Sequence, residues 1–387
     1  MSSVILKKCS SYEREEVFAA LSAALEMDGE FSRIVTPGKK VLVKANLLLP
    51  SKPDYAATTH PEVIRALVRI IKAKGAVPSI GDSPGNAYAN LDRVLRETGM
   101  QAVAEEENID IVRFEKEVKK VDIPGGQVIR HTHITAALDK FDVIISAAKL
   151  KTHNYTLYTG AVKNMFGVVT GFHKAEYHLI APHPMDFQNL LLDLYSIATP
   201  HYAVIDAVWG MEGHGPSGGT PRKIGVLLAG KDAVSVDSLG ARLIGYAPRD
   251  IDMLRLAEER GLGICSPDRI KLPGDDYTHF IVKDYKRVKD VNTILKYVPR
   301  FLYKPVEAFT RKMIKIYPYA LEDKCTGCKV CFNNCPAKAI TMENNYPVIE
   351  YDKCIKCYCC HELCPERAYV IKRSWLAEKW EIGNQDR

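Results

Sequence analysis

Short apolar runs alternate with stretches of helical period along the first 280 residues, and this alternation predicts a layered α/β fold. "KKVLVKANLLL" (Lys39–Leu49) reads as a strand leaving into a loop, and "HPEVIRALVRIIKAKGA" (His60–Ala76) as a helix. Thr59 suits the N-cap, Pro61 the first turn and Gly75 the C-terminal stop. "VPSIGDSPG" follows as a strand and tight turn, "FDVIISAAKL" (Phe141–Leu150) as a strand, and "DFQNLLLDLYSIAT" as a helix. Residues 201–232 read as strand, glycine-rich loop, strand, and the two segments after them as helices. The polar motifs fall just beyond the strands, at the edge where open α/β sheets bind ligands.

Composition narrows the class. A chain of 387 residues with 47% apolar content can bury a sizeable core and divide into two or three domains. A net charge of +6 is too mild to argue for nucleic acid. No apolar run reaches the ~18 residues of a membrane span, and "MSSVILKKCSSYEREE" lacks a signal-peptide core. The expected location is the cytoplasm. Nine of the eleven cysteines sit in two tight groups near the C-terminus, eight of them in a repeated spacing, so metal is a better reading than disulfides.

Those groups repeat. "DKCTGCKVCFNNCP" (Asp323–Pro336) and "DKCIKCYCCHELCP" (Asp352–Pro365) share D-K-C-x2-C-x2-C-x3-C-P at an offset of 29 residues. The spacing resembles that of bacterial two-cluster ferredoxins, from Tyr319 to Ile371. In that pattern three thiolates of one loop cap one cubane, and the cysteine before proline crosses to the other. The resemblance therefore implies two 4Fe–4S clusters. Cys325, Cys328, Cys331 and Cys364 would hold one; Cys354, Cys357, Cys360 and Cys335 the other. Cys359 is left as a bystander. Four-cysteine zinc sites usually carry two C-x2-C pairs instead. The expected division is an α/β domain over 1–280, a basic amphipathic connector over 281–318, and a small α+β ferredoxin domain with its tail over 319–387. The connector's apolar residues Ile294, Leu295, Val298, Phe301 and Leu302 suit packing between the domains, or contact with a membrane surface.

"VLVKANLL", "TTHPEVIRALVRIIKAKGA", "GDSPG", "AAKLKTHNYTLYTGAVKNMFGVVTG" and residues 204–246 resemble domain-of-unknown-function family 362. Members of that family often carry a C-terminal two-cluster ferredoxin. Two short motifs are also similar to the nickel-pincer lactate racemases. His153 and Lys163 keep a ten-residue separation within "THNYTLYTGAVK", and "TTHP" places His60 like a second catalytic histidine. By that resemblance His60, His153 and Lys163 are the catalytic candidates.

Lys149, Lys151 and Lys163, joined by Lys44 and Asn46, are expected to anchor a carboxylate or phosphate. Asp82 and Asp206 stand at strand ends as further binding candidates. His173, Glu176 and His178 form a weak metal set, since "HKAEYH" is not H-E-x-x-H. "GHGPSGG" (Gly213–Gly219) reads as a mobile lid or a weak nucleotide loop. The expected function is an iron–sulfur oxidoreductase, one suited to anaerobic chemistry. It would couple ferredoxin-type electron transfer, from or to a redox partner protein, to reduction of a small anionic substrate or bound cofactor in this cleft. A non-catalytic electron carrier or cofactor-maturation partner is one alternative, and isomerase or racemase-like chemistry another. Whether a flavin or a metal joins the clusters stays open.

Overall fold

The computed structural model describes residues 1–85, 90–171, 173–288 and 316–375. An eight-stranded sheet organises the larger part. Its strands are β1 (Ile5–Lys8), β2 (Lys40–Lys44), β3 (Val77–Asp82), β4 (Asp110–Arg113), β5 (Val143–His153), β6 (Leu157–Thr159), β7 (Tyr202–Glu212) and β8 (Thr220–Gly230). The order is β1-β8-β7-β5-β2-β3-β4, with β6 hairpinned onto the end of β5. Strands β7, β5, β2, β3 and β4 run parallel, while β8 lies antiparallel to both β7 and β1.

Period-2 alternation sends each strand's residues to two different cores. Val41, Val43, Ile145, Ala147 and Val204 face α1 (Arg14–Asp28) and α2 (Pro61–Ala73). Leu42, Ile144, Ala148, Ala203 and Ile205 face the opposite layer. That layer contains α3 (Ala161–Asn164), α4 (His173–Ile180), α5 (Pro184–Ile197), α6 (Ala233–Leu243) and α7 (Asp252–Glu259). The expected layered α/β fold is therefore present.

Two local expectations need correction. The N-cap of α2 is His60, whose Nδ1 accepts from Glu62 N at 3.2 Å. Thr59 is committed elsewhere, since its hydroxyl donates to Ala147 O at 2.8 Å and accepts from Asn46 N at 3.1 Å. Strand β5 does not stop at Leu150. Lys151, Thr152 and His153 pair with Thr159, Tyr158 and Leu157 of β6, and all eleven residues of β5 are buried. The polar run is thus part of the strand rather than a loop beyond it.

The C-terminal part is small and twofold repetitive. β9 (Ile316–Ala320) pairs antiparallel with β12 (Tyr369–Arg373), and β10 (Ile340–Glu343) with β11 (Tyr346–Ile349). Each cysteine motif carries one short helix, α8 (Val330–Asn333) or α9 (Cys359–Glu362). The proposed packing residues of the connector, Ile294 to Leu302, lie outside the described residues. Among the described residues no helix is long and apolar enough to cross a membrane.

Candidate functional site

Four lysines converge where β2, β3 and β5 end. Lys44 closes β2, and its Nζ lies 2.5 Å from Asp82 Oδ1 at the end of β3. The same ammonium donates to Asn164 Oδ1 at 3.0 Å and to Ala45 O at 2.9 Å. Gly167 is required beside this pair, because a Cβ there would collide with both Asp82 and Lys44. Lys151 donates to Asn46 Oδ1 and Ala57 O, each at 2.7 Å. Lys174, on α4, donates to Ser83 O at 2.7 Å and Pro84 O at 2.8 Å. Burial lowers the pKa of all these lysines, that of Lys174 to about 8.

Lys163 differs. Its ammonium has no hydrogen bond or ion pair among the described residues, although it faces the same cavity. It rides on α3, a single turn that cannot be stable alone. Asp237 of α6 holds that turn by its N-terminus, accepting from Ala161 N at 2.6 Å and Val162 N at 2.9 Å. Burial pushes the Asp237 carboxyl up to about 7. A raised carboxyl keeps a proton in the folded chain that the unfolded chain releases from about pH 4 upward. Its contribution to stability therefore falls as pH rises through that window to about 7. Wild type is expected to lose stability relative to Asp237→Asn between pH 5 and 7.5. Anaerobic thermal unfolding of both proteins measures this, and a constant difference would contradict the assignment.

The remaining wall comes from the C-terminal part. Cys359, Glu362 and Leu363 line the cavity with Lys44, Asn46, Lys151 and Lys163. His153 approaches from beneath, fully buried, with Nε2 at 3.2 Å from Glu362 Oε1. Its Nδ1 accepts from Tyr155 N at 3.0 Å and Thr156 N at 3.3 Å, so the ring proton of the neutral form sits on Nε2. Neither Nε2 nor Glu362 Oε1 has a well-aligned hydrogen bond. Burial, then the charge of Lys163, holds His153 well below the usual histidine range. Burial pushes Glu362 up to about 7 against the pull of Lys163 and Lys151. The cavity measures about 80 Å³. Four lysines and two carboxyl groups, Asp82 and Glu362, line it.

Three candidates lie elsewhere. Lys149 and Asp206 form a wholly buried ion pair of 2.9 Å on the α1/α2 face of the sheet. Tyr12 OH donates to Asp206 Oδ1 at 2.8 Å and accepts from Lys149 at 2.6 Å. The backbone N–H of His60 donates to Asp206 Oδ2 at 3.0 Å, while its ring stacks on Tyr12 with centroids 3.5 Å apart. Burial lowers the His60 pKa to about 4. These residues bond mainly to one another and do not line the lysine cavity.

The cysteines gather as two sets. Cys325, Cys328, Cys331 and Cys364 surround one small cavity; Cys335, Cys354, Cys357 and Cys360 surround a second. Both crossing cysteines receive a backbone hydrogen bond on sulfur at 3.3 Å, from Ala339 N to Cys335 and from Ala368 N to Cys364. Four thiols around each void, drawn from two loops, fit the demand of a cubane for one thiolate per iron. Cys359, the expected bystander, lines both the second void and the lysine cavity.

His173 and Glu176 pair with each other at 3.0 Å while His178 is buried against Phe187, so the weak metal set does not converge. The glycine-rich loop packs against α9. Ser217 Oγ donates to Glu362 O at 2.7 Å, and a side chain at Gly218 would strike the His361 ring. Sequence reading missed Glu362, Lys174, Asn164 and the cavity role of His178. One signal was available: the second repeat carries Cys359, His361 and Glu362 where the first has Val330, Phe332 and Asn333.

Comparison with known proteins agrees with this anatomy. The family model described as "Domain of unknown function (DUF362)" matches residues 41–242, and that of a "4Fe-4S dicluster domain" matches residues 317–365. The "Thylakoid-associated protein sll1697" of Synechocystis sp. is 28% identical over 316 residues, covering 81% of this chain and 97% of that protein. Among solved structures, the lactate racemase apoprotein from Thermoanaerobacterium thermosaccharolyticum is similar at a TM-score of 0.40 and 13% identity. That likeness covers 60% of this chain and 57% of the racemase chain. The ferredoxin-type match makes the C-terminal region an iron–sulfur electron-transfer module. With more than half its length matched by one family model, the chain belongs to the DUF362 family and carries a C-terminal 4Fe–4S dicluster domain.

Proposed function

We propose that this protein is a cytoplasmic iron–sulfur oxidoreductase that reduces a small anionic substrate, or a small bound cofactor, in the lysine-lined cavity. One observation carries the reading: Cys359 forms part of the wall of both that cavity and the void lined by Cys335, Cys354, Cys357 and Cys360. We read those four cysteines as ligands of one 4Fe–4S cluster and Cys325, Cys328, Cys331 and Cys364 as ligands of the other. When bound, the clusters supply one-electron transfer, and a redox partner protein exchanges electrons with them. Residues 1–280 and 319–387 act as substrate and electron-transfer domains, joined by 281–318.

The chain's own residues do the rest. Lys163 and Lys151 hold the anion, and Asn46 and the Lys44–Asp82 pair fix the floor of the site. His153 holds a proton on Nε2 facing the cavity wall at Glu362. Low local dielectric strengthens each of these contacts. A cavity of about 80 Å³ suits a molecule of a few heavy atoms and is far below the ~300 Å³ at which pockets for drug-sized ligands begin. We read His60, Lys149 and Asp206 as a structural brace.

The test is substrate-dependent reoxidation of the reduced clusters under anaerobic conditions, screened over small organic acids. Lys163→Ala and His153→Ala are expected to slow it at least tenfold, the range of one positioned charge or proton donor. Equal rates in wild type and both variants would remove the cavity from the mechanism.

A further inference from the structure

Two groups in the cavity wall have no hydrogen-bond partner among the described residues. Lys163 is the one cavity lysine with no acceptor among the described residues; Lys44, Lys151 and Lys174 each have at least two. His178, on α4, is only 5% exposed. Its ring is clamped by Phe187, stacked at 4.1 Å between centroids, and by Tyr155, edge-on at 5.7 Å. Nδ1 is sealed from solvent without a hydrogen bond, and no described residue bonds to Nε2. A neutral imidazole always carries one N–H. A buried ring with neither nitrogen partnered is rare and needs an explanation. His178 and Lys163 line the same cavity, close enough for the lysine's charge to disfavour protonation of the ring.

We propose that Lys163 and His178 form a two-point seat for a small oxyanion, a carboxylate, with one oxygen on the ammonium and the other on the imidazole N–H. This deepens the reading of the cavity as the substrate site and rests on it. The carboxylate follows from the surroundings. Leu48, Phe166 and Leu363 give the cavity an apolar side suited to a short hydrocarbon. The stack on Phe187 fixes the ring plane, so His178 acts as an oriented donor rather than as a second mobile charge. Phosphate and sulfate share the oxyanion chemistry but offer nothing for the apolar side.

Equilibrium dialysis of the anaerobically prepared, cluster-loaded protein with labelled acetate, competed by inorganic phosphate, tests this. One saturable acetate site per chain is expected. His178→Phe, which keeps the aromatic stack, and Lys163→Met are each expected to weaken it at least tenfold. Lys231→Met, which removes a surface charge far from the cavity, is expected to leave it unchanged. Iron content and unfolding temperature equal to wild type establish that each variant is folded. Acetate bound more tightly than phosphate supports the carboxylate seat, and the reverse order overturns that class. Absence of saturable binding, or binding indifferent to both cavity variants, overturns the seat. The clusters stay oxidised throughout, so the readout is independent of turnover. Saturable binding with no acid-dependent reoxidation would sink the redox reading and leave the seat standing.

Discussion

Cys335→Ser is expected to strip or distort the cluster held by Cys354, Cys357 and Cys360, although Cys335 belongs to the other sequence repeat. Its sulfur lines the same void as theirs. Conversely, Cys364→Ser is expected to damage the site of Cys325, Cys328 and Cys331. Each single variant should lose about half the iron and acid-labile sulfide of the wild-type protein, since each cluster carries half of it. Double variants give the sharper result. Two ligands of one cluster act as a unit, so Cys335→Ser combined with Cys357→Ser should lose no more iron than either alone. Cys335→Ser combined with Cys328→Ser should lose nearly all of it. Cys359→Ser should retain full iron content. Iron and sulfide per chain, with the electron paramagnetic resonance of the reduced protein, measure these outcomes. A Cys335→Ser variant that behaves like Cys328→Ser would mean ligation within repeats and would refute the crossed arrangement.

The two cysteine sets are not equivalent with respect to the cavity. Cys357 and Cys359 pack with Leu363 against Leu48 of the larger part, whereas Cys328 is exposed. Loss of the cluster beside Cys359 should therefore abolish acid-dependent reoxidation. Loss of its neighbour should mainly slow exchange with an external donor.

Regular elements were readable because their causes are local. Strands β2, β3, β7 and β8 and helix α2 carry apolar periods bounded by glycine, proline and turn residues. The cysteine spacing was readable because four sulfurs around a cubane constrain the chain directly. Strand β5 was cut short for the opposite reason. Lys149 and Lys151 look like solvated residues, and what keeps them buried is Asp206, Asn46 and Ala57, each distant in sequence. The N-cap of α2 went to His60 instead of Thr59 because Ala147 and Asn46 claim the threonine hydroxyl. Glu362 was invisible as a cavity residue because its role depends on how α9 docks against Ser217 and His153. Proximity across domains leaves little trace in a single sequence. Lys149, Lys151 and Lys163 read as one cationic set, yet the fold divides them: Lys149 is sealed in a pair with Asp206, whereas Lys151 and Lys163 line the cavity beyond the strand ends.

That separation gives the other large expected effect. Lys149→Met removes the ammonium from a pair in which both side chains are fully buried, and leaves the Asp206 carboxylate with the donors of Tyr12 and His60 but no countercharge. Breaking a buried pair from one side costs about 3–5 kcal/mol, which for a domain of this size lowers the unfolding temperature on the order of 10 °C. Lys149→Met combined with Asp206→Leu removes both charges and should recover most of the loss, because apolar replacement of a whole buried pair is often neutral. Tyr12 tempers the recovery. Its hydroxyl donates to Asp206 and accepts from Lys149, so the double variant strands it in the interior. Adding Tyr12→Phe should restore part of the remainder, since the His60 N–H that also donates to Asp206 stays unpaired. Anaerobic thermal unfolding of the single, double and triple variants, with acetate binding measured in parallel, separates a brace from a binding group. A brace predicts large shifts in unfolding temperature with unchanged acetate affinity in every folded variant. Lys149→Met that keeps the wild-type unfolding temperature but loses the anion would put Lys149 back among the ligand-binding residues.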